Sequence, residues 1–378
     1  MLGRPRRLAL LAEQCFSPRD AKTAVGVLRY RASEVAAVID SSRAGSTAAE
    51  CVGVGGPVPV VAGIEDADRC GCDTLLLGIA PQGGDLPDSW RAAVCDALGR
   101  GWDVISGLHL FLAEDPGLAS IARASGAKIF DVRRPPLARS IAARRARDVD
   151  ALVVLTIGSD CNVGKMTASL ELVEALRARA IRAAFVATGQ TGIMIADHGV
   201  AIDAVVSDFA AGETERLVLE AARGADVVMV EGQGALHHPG YSGVSLALMH
   251  GACPEALVLC HWAGRTQLRV SDDAEVPLPP LTEVRANAER AAAWVSPAAT
   301  VAVALNTLDL NGTAARAACR EIERDLGVPA TDPVRYGAEP LAAAVIAAWE
   351  RRRSRRSDDR TPADVTRGIE SPSEKDMA

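Results

Sequence analysis

A glycine-flanked loop that ends in a lysine carries the clearest chemical signal in the sequence. Residues 158–165 read Gly-Ser-Asp-Cys-Asn-Val-Gly-Lys and lie between an apolar run and a helical pattern. In such a loop the glycines let backbone amides turn inward, the following helix directs its positive end at an anion, and the lysine adds a mobile charge. The pattern predicts a phosphate-binding loop, with a plain tight turn as the alternative. The residues expected to hold the phosphate-bearing ligand are Gly158, Ser159, Asn162, Val163, Gly164, Lys165, Met166 and Thr167.

This loop departs from the usual nucleotide-binding pattern in two ways. Five residues separate its two glycines, one more than usual, and the longer spacing resembles the loop of dethiobiotin synthetase. Met166 occupies the position where a serine or threonine hydroxyl normally contacts Mg²⁺, and Thr167 comes one position later. We therefore expect phosphate binding, but not a conventional Mg-nucleotide site. Asp160 is a candidate to replace the hydroxyl as a metal ligand or to position a substrate ammonium.

A second group of candidates follows the apolar run at residues 227–230. Glu231 ends this predicted strand and precedes Gly-Gln-Gly, so it should lie at the carboxyl edge of the sheet, where ligands of α/β proteins bind. It is predicted to orient a metal or act as a general base, with a structural carboxylate as the alternative. His237 and His238 follow in a loop expected at the same edge. A neutral imidazole there could accept a proton from an amine, with packing in the loop as the alternative for each histidine.

Three further polar residues follow or end predicted strands of the same sheet. Gln190 and Arg265 suit recognition of a substrate carboxylate, arginine through a bidentate fork. Asn306 is placed to contact an adenine edge. Stabilisation of its own loop is the alternative for each of the three.

The order of the predicted elements indicates two α/β domains. A chain of 378 residues exceeds what one hydrophobic core usually organises. Apolar runs alternate with helical patterns, the first of which Asp20 is predicted to cap, and near-continuous apolar runs are typical of strands in parallel sheets. We expect two doubly wound parallel-sheet domains, Rossmann-like over residues 1–147 and P-loop NTPase-like over residues 148–350. Residues 351–378 are too polar to bury a core and are predicted to form a disordered tail.

The first predicted βα turn argues against a dinucleotide site. Residues 13–19 contain no glycine, whereas a dinucleotide-binding turn is glycine-rich. Asp40 ends the second predicted strand, the position from which such an enzyme would hold a ribose. A solvated strand-end carboxylate is the favoured interpretation of Asp40.

Composition narrows the classes of function. A formal net charge of −7 gives no general attraction to nucleic acid. The nine cysteines show no metal-ligand spacing, so no metal site is expected from them, and they are typical of reduced cytosolic thiols. No apolar stretch approaches the roughly 18 residues that a membrane span requires. We therefore expect a cytoplasmic protein that binds neither nucleic acid nor membrane.

Short motifs occur in a fixed order at residues 21–24, 78–84, 106–109, 158–165, 187–192, 199–206 and 231–234. Together they resemble the D-glutamate N-acetyltransferase family. The resemblance implies a Rossmann-like domain followed by a P-loop domain akin to dethiobiotin synthetase. It also implies transfer of an acetyl group from acetyl-CoA to the amine of D-glutamate, with a racemase or epimerase as the partner that uses the N-acetyl product. Coenzyme A phosphates would need no Mg²⁺, which agrees with Met166.

The leading hypothesis from the sequence is an N-acyltransferase whose phosphate loop binds acetyl-CoA and whose loop amides stabilise the oxyanion. Gln190 or Arg265 would fix the carboxylate of a small amino-acid substrate, and Glu231, His237 or His238 would deprotonate the amine. The alternatives are a ligase or kinase that uses ATP and Mg²⁺, and a noncatalytic sensor of a phosphate-bearing ligand. A homo-oligomer is one expectation for an oligomeric state that the sequence leaves open.

Overall fold

Two parallel β-sheets organise the protein. The computed structural model describes residues 6–79, 84, 86–137, 140–270 and 275–359. Within these ranges each sheet has six strands, and every ladder of both sheets is parallel. This confirms the predicted pair of parallel-sheet α/β domains. No helix in the described part of the chain combines the length and apolar character needed to cross a bilayer.

The first sheet has the strand order β3-β2-β1-β4-β5-β6, the order of dinucleotide-binding folds. All residues of β1 and β4, its central strands, are buried, as expected for strands covered on both faces. Its strands are β1 Leu8–Leu11, β2 Val35–Ile39, β3 Val60–Val61, β4 Thr74–Leu77, β5 Asp103–Ser106 and β6 Ile129–Asp131. Its helices are α1 Lys22–Tyr30, α2 Ala48–Val52, α3 Ile64–Arg69, α4 Asp88–Gly99 and α5 Pro116–Ser125.

The second sheet is centred on β7, which has β9 on one side and β10 on the other. Its order is β14-β13-β10-β7-β9-β8, and β7 is buried over its whole length. The strands of this domain are β7 Leu152–Gly158, β8 Ala183–Val186, β9 Val227–Val230, β10 Ala256–Trp262, the antiparallel pair β11 Gln267–Leu268 and β12 Val276–Pro277, β13 Ala299–Asn306 and β14 Ala330–Thr331. The helices are α6 Lys165–Ala178, α7 Gln190–Ala196, α8 Ser207–Ala221, α9 Ser242–Ala252, α10 Leu281–Ala293, α11 Gly312–Leu326 and α12 Glu339–Asp359.

The two domains share a packed interface in which α1 lies against α7. The hydroxyls of Thr23 and Thr191 are 2.7 Å apart, and Thr23 is buried. The buried core of the first domain continues into the second through Ile193 and Met194 of α7. The packing of α1 on α7 therefore brings the segment after β1 in the first sheet close to the segment after β8 in the second.

Three local expectations need correction. Helix α1 begins after Ala21, and Asp20 does not cap it but accepts a 2.6 Å hydrogen bond from Ser17. Asp40 is buried rather than solvated. Ordered structure also continues past the predicted start of the tail, since α12 runs to Asp359 and the buried Arg352 donates a 2.6 Å hydrogen bond to the carbonyl of Val149. The rest of the predicted tail, residues 360–378, lies outside the described residues.

Candidate active site

The predicted phosphate loop is a tight turn between β7 and α6. Asn162 and Gly164 have left-handed backbone angles, with φ of 58° and 102°, and reverse the chain immediately before α6. At Gly158 a Cβ atom would lie 2.6 Å from the Lys165 ammonium nitrogen and 2.6 Å from the Asp160 carbonyl oxygen. The close approach explains why glycine begins this loop, since a side chain there would displace the lysine.

Lys165 is buried beneath the loop. In the contacts described for it, no carboxylate forms an ion pair with its ammonium group. Its Nζ donates a 2.9 Å hydrogen bond to the carbonyl of Asp160. Burial lowers the pKa of Lys165. Because no carboxylate in those contacts pairs with the ammonium, a bound anion would supply the missing partner and favour the charged form of Lys165.

Asp160 organises the loop and does not serve the two functions predicted for it. Its buried carboxylate accepts hydrogen bonds from Arg265 Nη1 at 2.8 Å, from the Arg269 amide at 2.9 Å and from the Cys161 amide at 2.6 Å. Arg265 also donates to the Cys161 carbonyl at 2.9 Å. The predicted carboxylate-binding arginine is therefore engaged within the protein, where it joins the segment after β10 to the phosphate loop.

A cluster of metal-type ligands occurs here, but its atoms are already committed. Ligand atoms of Asp160, Cys161 and His238 lie within 4.8 Å of one another. Nδ1 of His238 accepts a 3.1 Å hydrogen bond from the Gly240 amide, and Nε2 lies 3.0 Å from the Arg269 carbonyl. With the carboxylate paired to arginine and both imidazole nitrogens bonded, these three residues do not fit a cation.

The two histidines are poorly placed to act as bases. His238 has neither nitrogen free, as its backbone contacts require Nε2 to carry the proton. His237 lies against α10, with its Nε2 2.9 Å from Asn287 Nδ2, and its Nδ1 is buried without a hydrogen-bond partner. The structure therefore argues against the prediction that either imidazole deprotonates the substrate amine.

Glu231 has the properties of an acid–base group. It is buried at the carboxyl end of β9, and its Oε2 accepts hydrogen bonds from the amides of Thr188 at 2.9 Å and Gly189 at 3.2 Å. Burial raises the pKa of Glu231 to about 7, against the opposing effect of these amides and of Lys165. The carboxyl group therefore changes its protonation state near neutral pH, as a general base must.

The first domain adds a lysine that the sequence analysis did not select as a site residue. Lys22 begins α1 and lies close enough to Cys161 and Lys165 of the phosphate loop for their charges to affect its pKa. Desolvation, followed by the positive charges of Arg269 and Arg265, lowers the pKa of Lys22 to about 8. Lys165 acts in the same direction. The signal was present in the motif at residues 21–24 and in its position after β1, but only the packing of the domains brings Lys22 to the loop.

The contacts of the Met166 side chain explain why position 166 carries no Mg²⁺-binding hydroxyl. The Met166 side chain packs closely against Gly26 of α1 in the other domain. A Cβ atom added at Gly26 would lie 3.3 Å from Met166 Cε and 3.1 Å from Thr191 Cγ2 of α7. Position 166 therefore serves the contact between the domains. Thr167, the next residue, is partly buried on α6.

The remaining predicted site residues stabilise the surroundings of the loop. Gln190 accepts a 2.8 Å hydrogen bond from Arg133 of the first domain. Asn306 accepts a 3.0 Å hydrogen bond from the Leu308 amide, which is the stabilising role in its own loop that the sequence left open.

The other residues of the phosphate loop differ in their exposure. Ser159 is fully buried and its hydroxyl lies 2.9 Å from Nδ1 of His261. Val163 is buried in the core beneath the loop, and Asn162 is exposed. Of the motif at residues 78–84, positions 80–83 lie outside the described residues.

Two family models match the chain over most of its length. A model described as the P-loop domain of DUF1611, a domain of unknown function, matches residues 140–342, and its Rossmann-like N-terminal counterpart matches residues 41–135. The chain belongs to the DUF1611 family. A DUF1611 family protein from Anabaena variabilis, solved as a crystal structure, shares 39% sequence identity with this chain. The two structures match with a TM-score of 0.86 over 90% of this chain and 99% of the other.

Two curated relatives give the DUF1611 chain its reaction class. A D-glutamate N-acetyltransferase of Tritonibacter scottomollicae is 39% identical over 295 residues, or 75% of this chain and 84% of the relative. A D-glutamate N-acetyltransferase from a Pseudoalteromonas species is 35% identical over 278 residues, which cover 74% of this chain and 82% of the relative. This DUF1611 chain is an enzyme of the N-acetyltransferase class, which confirms the family predicted from the sequence motifs.

Proposed function

We propose that the protein transfers the acetyl group of acetyl-CoA to the amine of D-glutamate. Both curated relatives carry D-glutamate in their names. The observation that supports the proposal in this chain is the convergence of cations from both domains near the phosphate loop. Lys22 comes from the first domain, and its ammonium is close enough to Arg265, Arg269 and Lys165 for their charges to lower its pKa.

The surroundings of the phosphate loop suit the phosphates of coenzyme A. Asp160 neutralises Arg265, which leaves Lys165 and Lys22 as cations beside the loop that no carboxylate pairs with in the contacts described for them. Coenzyme A presents a pyrophosphate and a ribose phosphate, and loop amides with nearby cations bind such groups without a metal. A donor that needs no Mg²⁺ is consistent with a methionine at position 166.

The acceptor requires a cation for its carboxylates and a base for its ammonium. Arg269 is exposed, and its guanidinium offers the planar fork that pairs with a carboxylate. The amine must lose a proton before its nitrogen attacks the acetyl carbonyl. Glu231, with a pKa of about 7, is matched to accept that proton near neutral pH. The product would be an N-acetyl amino acid, and we propose a racemase or epimerase as the enzyme that uses it.

The test is a set of incubations read by mass spectrometry. Purified protein is mixed with D-glutamate or L-glutamate, and with either acetyl-CoA in EDTA or Mg-ATP. The proposal expects N-acetyl-D-glutamate and an equal amount of free thiol from acetyl-CoA, with no nucleotide present. ADP formation that depends on the amino acid, without thiol release, would instead establish a ligase or kinase.

A pair of arginine variants tests the acceptor site. Arg269→Ala should raise KM for D-glutamate about tenfold or more, because a charge-assisted pair is lost. Arg320→Ala, which removes an exposed arginine of α11, serves as the matched control and should leave KM unchanged. Equal KM values in the two variants would remove Arg269 from the acceptor site.

A further inference from the structure

A small cavity lies in the second domain beside the carboxyl end of β9. Its volume is about 20 Å³, which is room for one group the size of a water molecule or a methyl. Gly232 and Gln233, the two residues that follow Glu231, line the cavity, and so does Gly158 at the start of the phosphate loop. The cavity therefore adjoins both the segment that carries the proposed base and the proposed donor-binding loop.

The exposure of the lining residues shows how the cavity is arranged. Gln233 and Ser245 are partly exposed, whereas Leu155 of β7, Met249 of α9 and Val284 of α10 are buried. The cavity thus has a partly exposed rim at the loop after β9 and an apolar floor between β7, α9 and α10.

The two hydroxyl groups at the cavity are already hydrogen-bonded within the protein. Thr156 accepts a 2.9 Å hydrogen bond from the Gly232 amide, and its hydroxyl lies 3.1 Å from that of Ser169. Ser245 donates a 2.8 Å hydrogen bond to the Gln233 carbonyl. A buried water needs roughly two to four polar partners, so an apolar group fits this cavity better than a water does.

The proposed reaction brings one apolar group of this size close to Glu231. The amine nitrogen gives its proton to Glu231 and then attacks the acetyl carbon, so that carbon must lie near the carboxyl group when the proton moves. The methyl group is attached directly to the acetyl carbon. The neighbouring apolar cavity is therefore where that methyl can leave water.

We propose that the cavity receives the methyl of the acetyl group and that its floor limits the length of the acyl chain the enzyme transfers. The inference rests on the proposed acetyl transfer and adds the residues that select the acyl group. Met249 and Val284 are part of one packed apolar cluster, so a longer chain would have to displace buried side chains.

The first test measures binding to the wild-type chain without an amino acid. Acetyl-CoA and butyryl-CoA are titrated by calorimetry in buffer that contains EDTA. Butyryl-CoA should bind about tenfold more weakly, because its two further carbons find no space at the floor. An open acyl site would give the opposite order, since the longer chain removes more apolar surface from water.

The second test enlarges the cavity. Met249→Ala should raise the affinity for butyryl-CoA relative to acetyl-CoA by about tenfold, because the shortened side chain deepens the floor. Met229→Ala is the matched control, since Met229 is an equally buried methionine that belongs to a different apolar cluster. The control should keep the wild-type preference, and thermal unfolding checks that both variants are folded.

The third test fills the cavity. Ala288 of α10 is buried and lines it, so Ala288→Val adds two carbons to its wall. The affinity for acetyl-CoA should fall about fivefold, while the affinity for free coenzyme A, which has no acyl group, should stay unchanged. Equal losses for both ligands would show a general disturbance of the donor site and would contradict an acyl cavity.

The outcomes separate this inference from the proposed function when formation of N-acetyl-D-glutamate is measured with the same proteins. If acetyl-CoA and butyryl-CoA bind the wild type equally, or if Met249→Ala and Met229→Ala have the same acyl preference, the acyl cavity is refuted, and acetylation of D-glutamate would leave the proposed function standing. If Met249→Ala relaxes the preference but the wild type acetylates no D-glutamate, the acceptor is wrong and the cavity stands. Failure of every acyl-CoA to bind would refute both.

Discussion

Asp40 and Glu231 follow or end strands at the carboxyl edges of the two sheets, yet their surroundings differ. In the first sheet Asp40 is fully buried and accepts hydrogen bonds from the Phe16 amide of the loop after β1 at 3.0 Å and from the Ser42 amide and hydroxyl of its own loop at 2.9 and 2.6 Å. In the second sheet Glu231 is held by two amides, and its pKa is raised to about 7. Position in the fold thus brings a carboxylate to the edge, and local contacts decide whether it stabilises structure or performs chemistry.

The first sheet contributes to the site through its helix rather than through its strand ends. Lys22, at the start of α1, is near enough to Cys161 and Lys165 of the phosphate loop for their charges to affect its pKa. The loop after β1 has no comparable glycine turn, since residues 13–19 lack glycine. Under the proposed function the second domain would supply the binding loop and the base, and the first would add the amine of Lys22.

Glu231→Gln should produce the largest effect. The amide cannot accept a proton, so kcat should fall by about 100- to 1,000-fold while affinity for the donor is retained. Steady-state kinetics together with a coenzyme A binding titration measure the two quantities. An unchanged kcat in this variant would show that Glu231, like Asp40, only stabilises the structure.

Lys165→Ala should weaken donor binding by about 100-fold, because a buried cation beside the phosphates is removed. The dissociation constant of coenzyme A, measured by calorimetry, reports this loss. Lys128→Ala, in the first domain just before β6, is the control for removal of a lysine and should leave the constant unchanged. Equal affinity in Lys165→Ala and the wild type would exclude the loop as the donor site.

Asp40→Asn should affect stability rather than catalysis. The amide nitrogen of asparagine would face the Phe16 amide, leaving two donors opposed in a buried site and lowering the free energy of unfolding by about 1–3 kcal/mol. Urea unfolding measures the loss, and kcat should stay within about twofold of the wild type. Loss of kcat with unchanged stability would place Asp40 in the chemistry and overturn the contrast with Glu231.

The pH dependence gives the smallest and most specific effect. The ordinary pKa of a glutamate is 4.5, and burial raises that of Glu231 to about 7. Since the ionised form is the base, kcat should fall about tenfold for each pH unit below 7. The same shift means that the native state binds this proton more tightly than the unfolded state, so the stability contributed by Glu231 falls as pH rises from about 4.5 to 7. An unchanged kcat between pH 5.5 and 7 would contradict the assignment.

The sequence predicts the elements well where the pattern is local. The apolar run at 227–230 coincides with β9, and the phosphate loop lies between β7 and α6, where its glycines indicate. Strand β14 escapes detection because it is two residues long and is defined by pairing with β13. The basic residues after position 350 suggest a solvated tail, but Arg352 is buried because it forms an ion pair with the distant Glu255.

The site is harder to predict because its contacts join distant residues. Asp160 and Arg265 are 105 positions apart, and their ion pair commits both side chains before a substrate arrives. Lys22 reaches the loop only because α1 packs on α7, a contact that no local pattern encodes. Residue type and strand position thus select candidates, while tertiary contacts decide which of them remain free to bind or react.

Titration of the wild-type protein with acetyl-CoA in metal-free buffer tests most directly whether the phosphate loop at residues 158–165 is an acyl-donor site. We expect one equivalent of acetyl-CoA to bind in EDTA, with free coenzyme A competing for the same site. Failure of acetyl-CoA to bind, together with tight binding of ATP that requires Mg²⁺, would contradict the proposal.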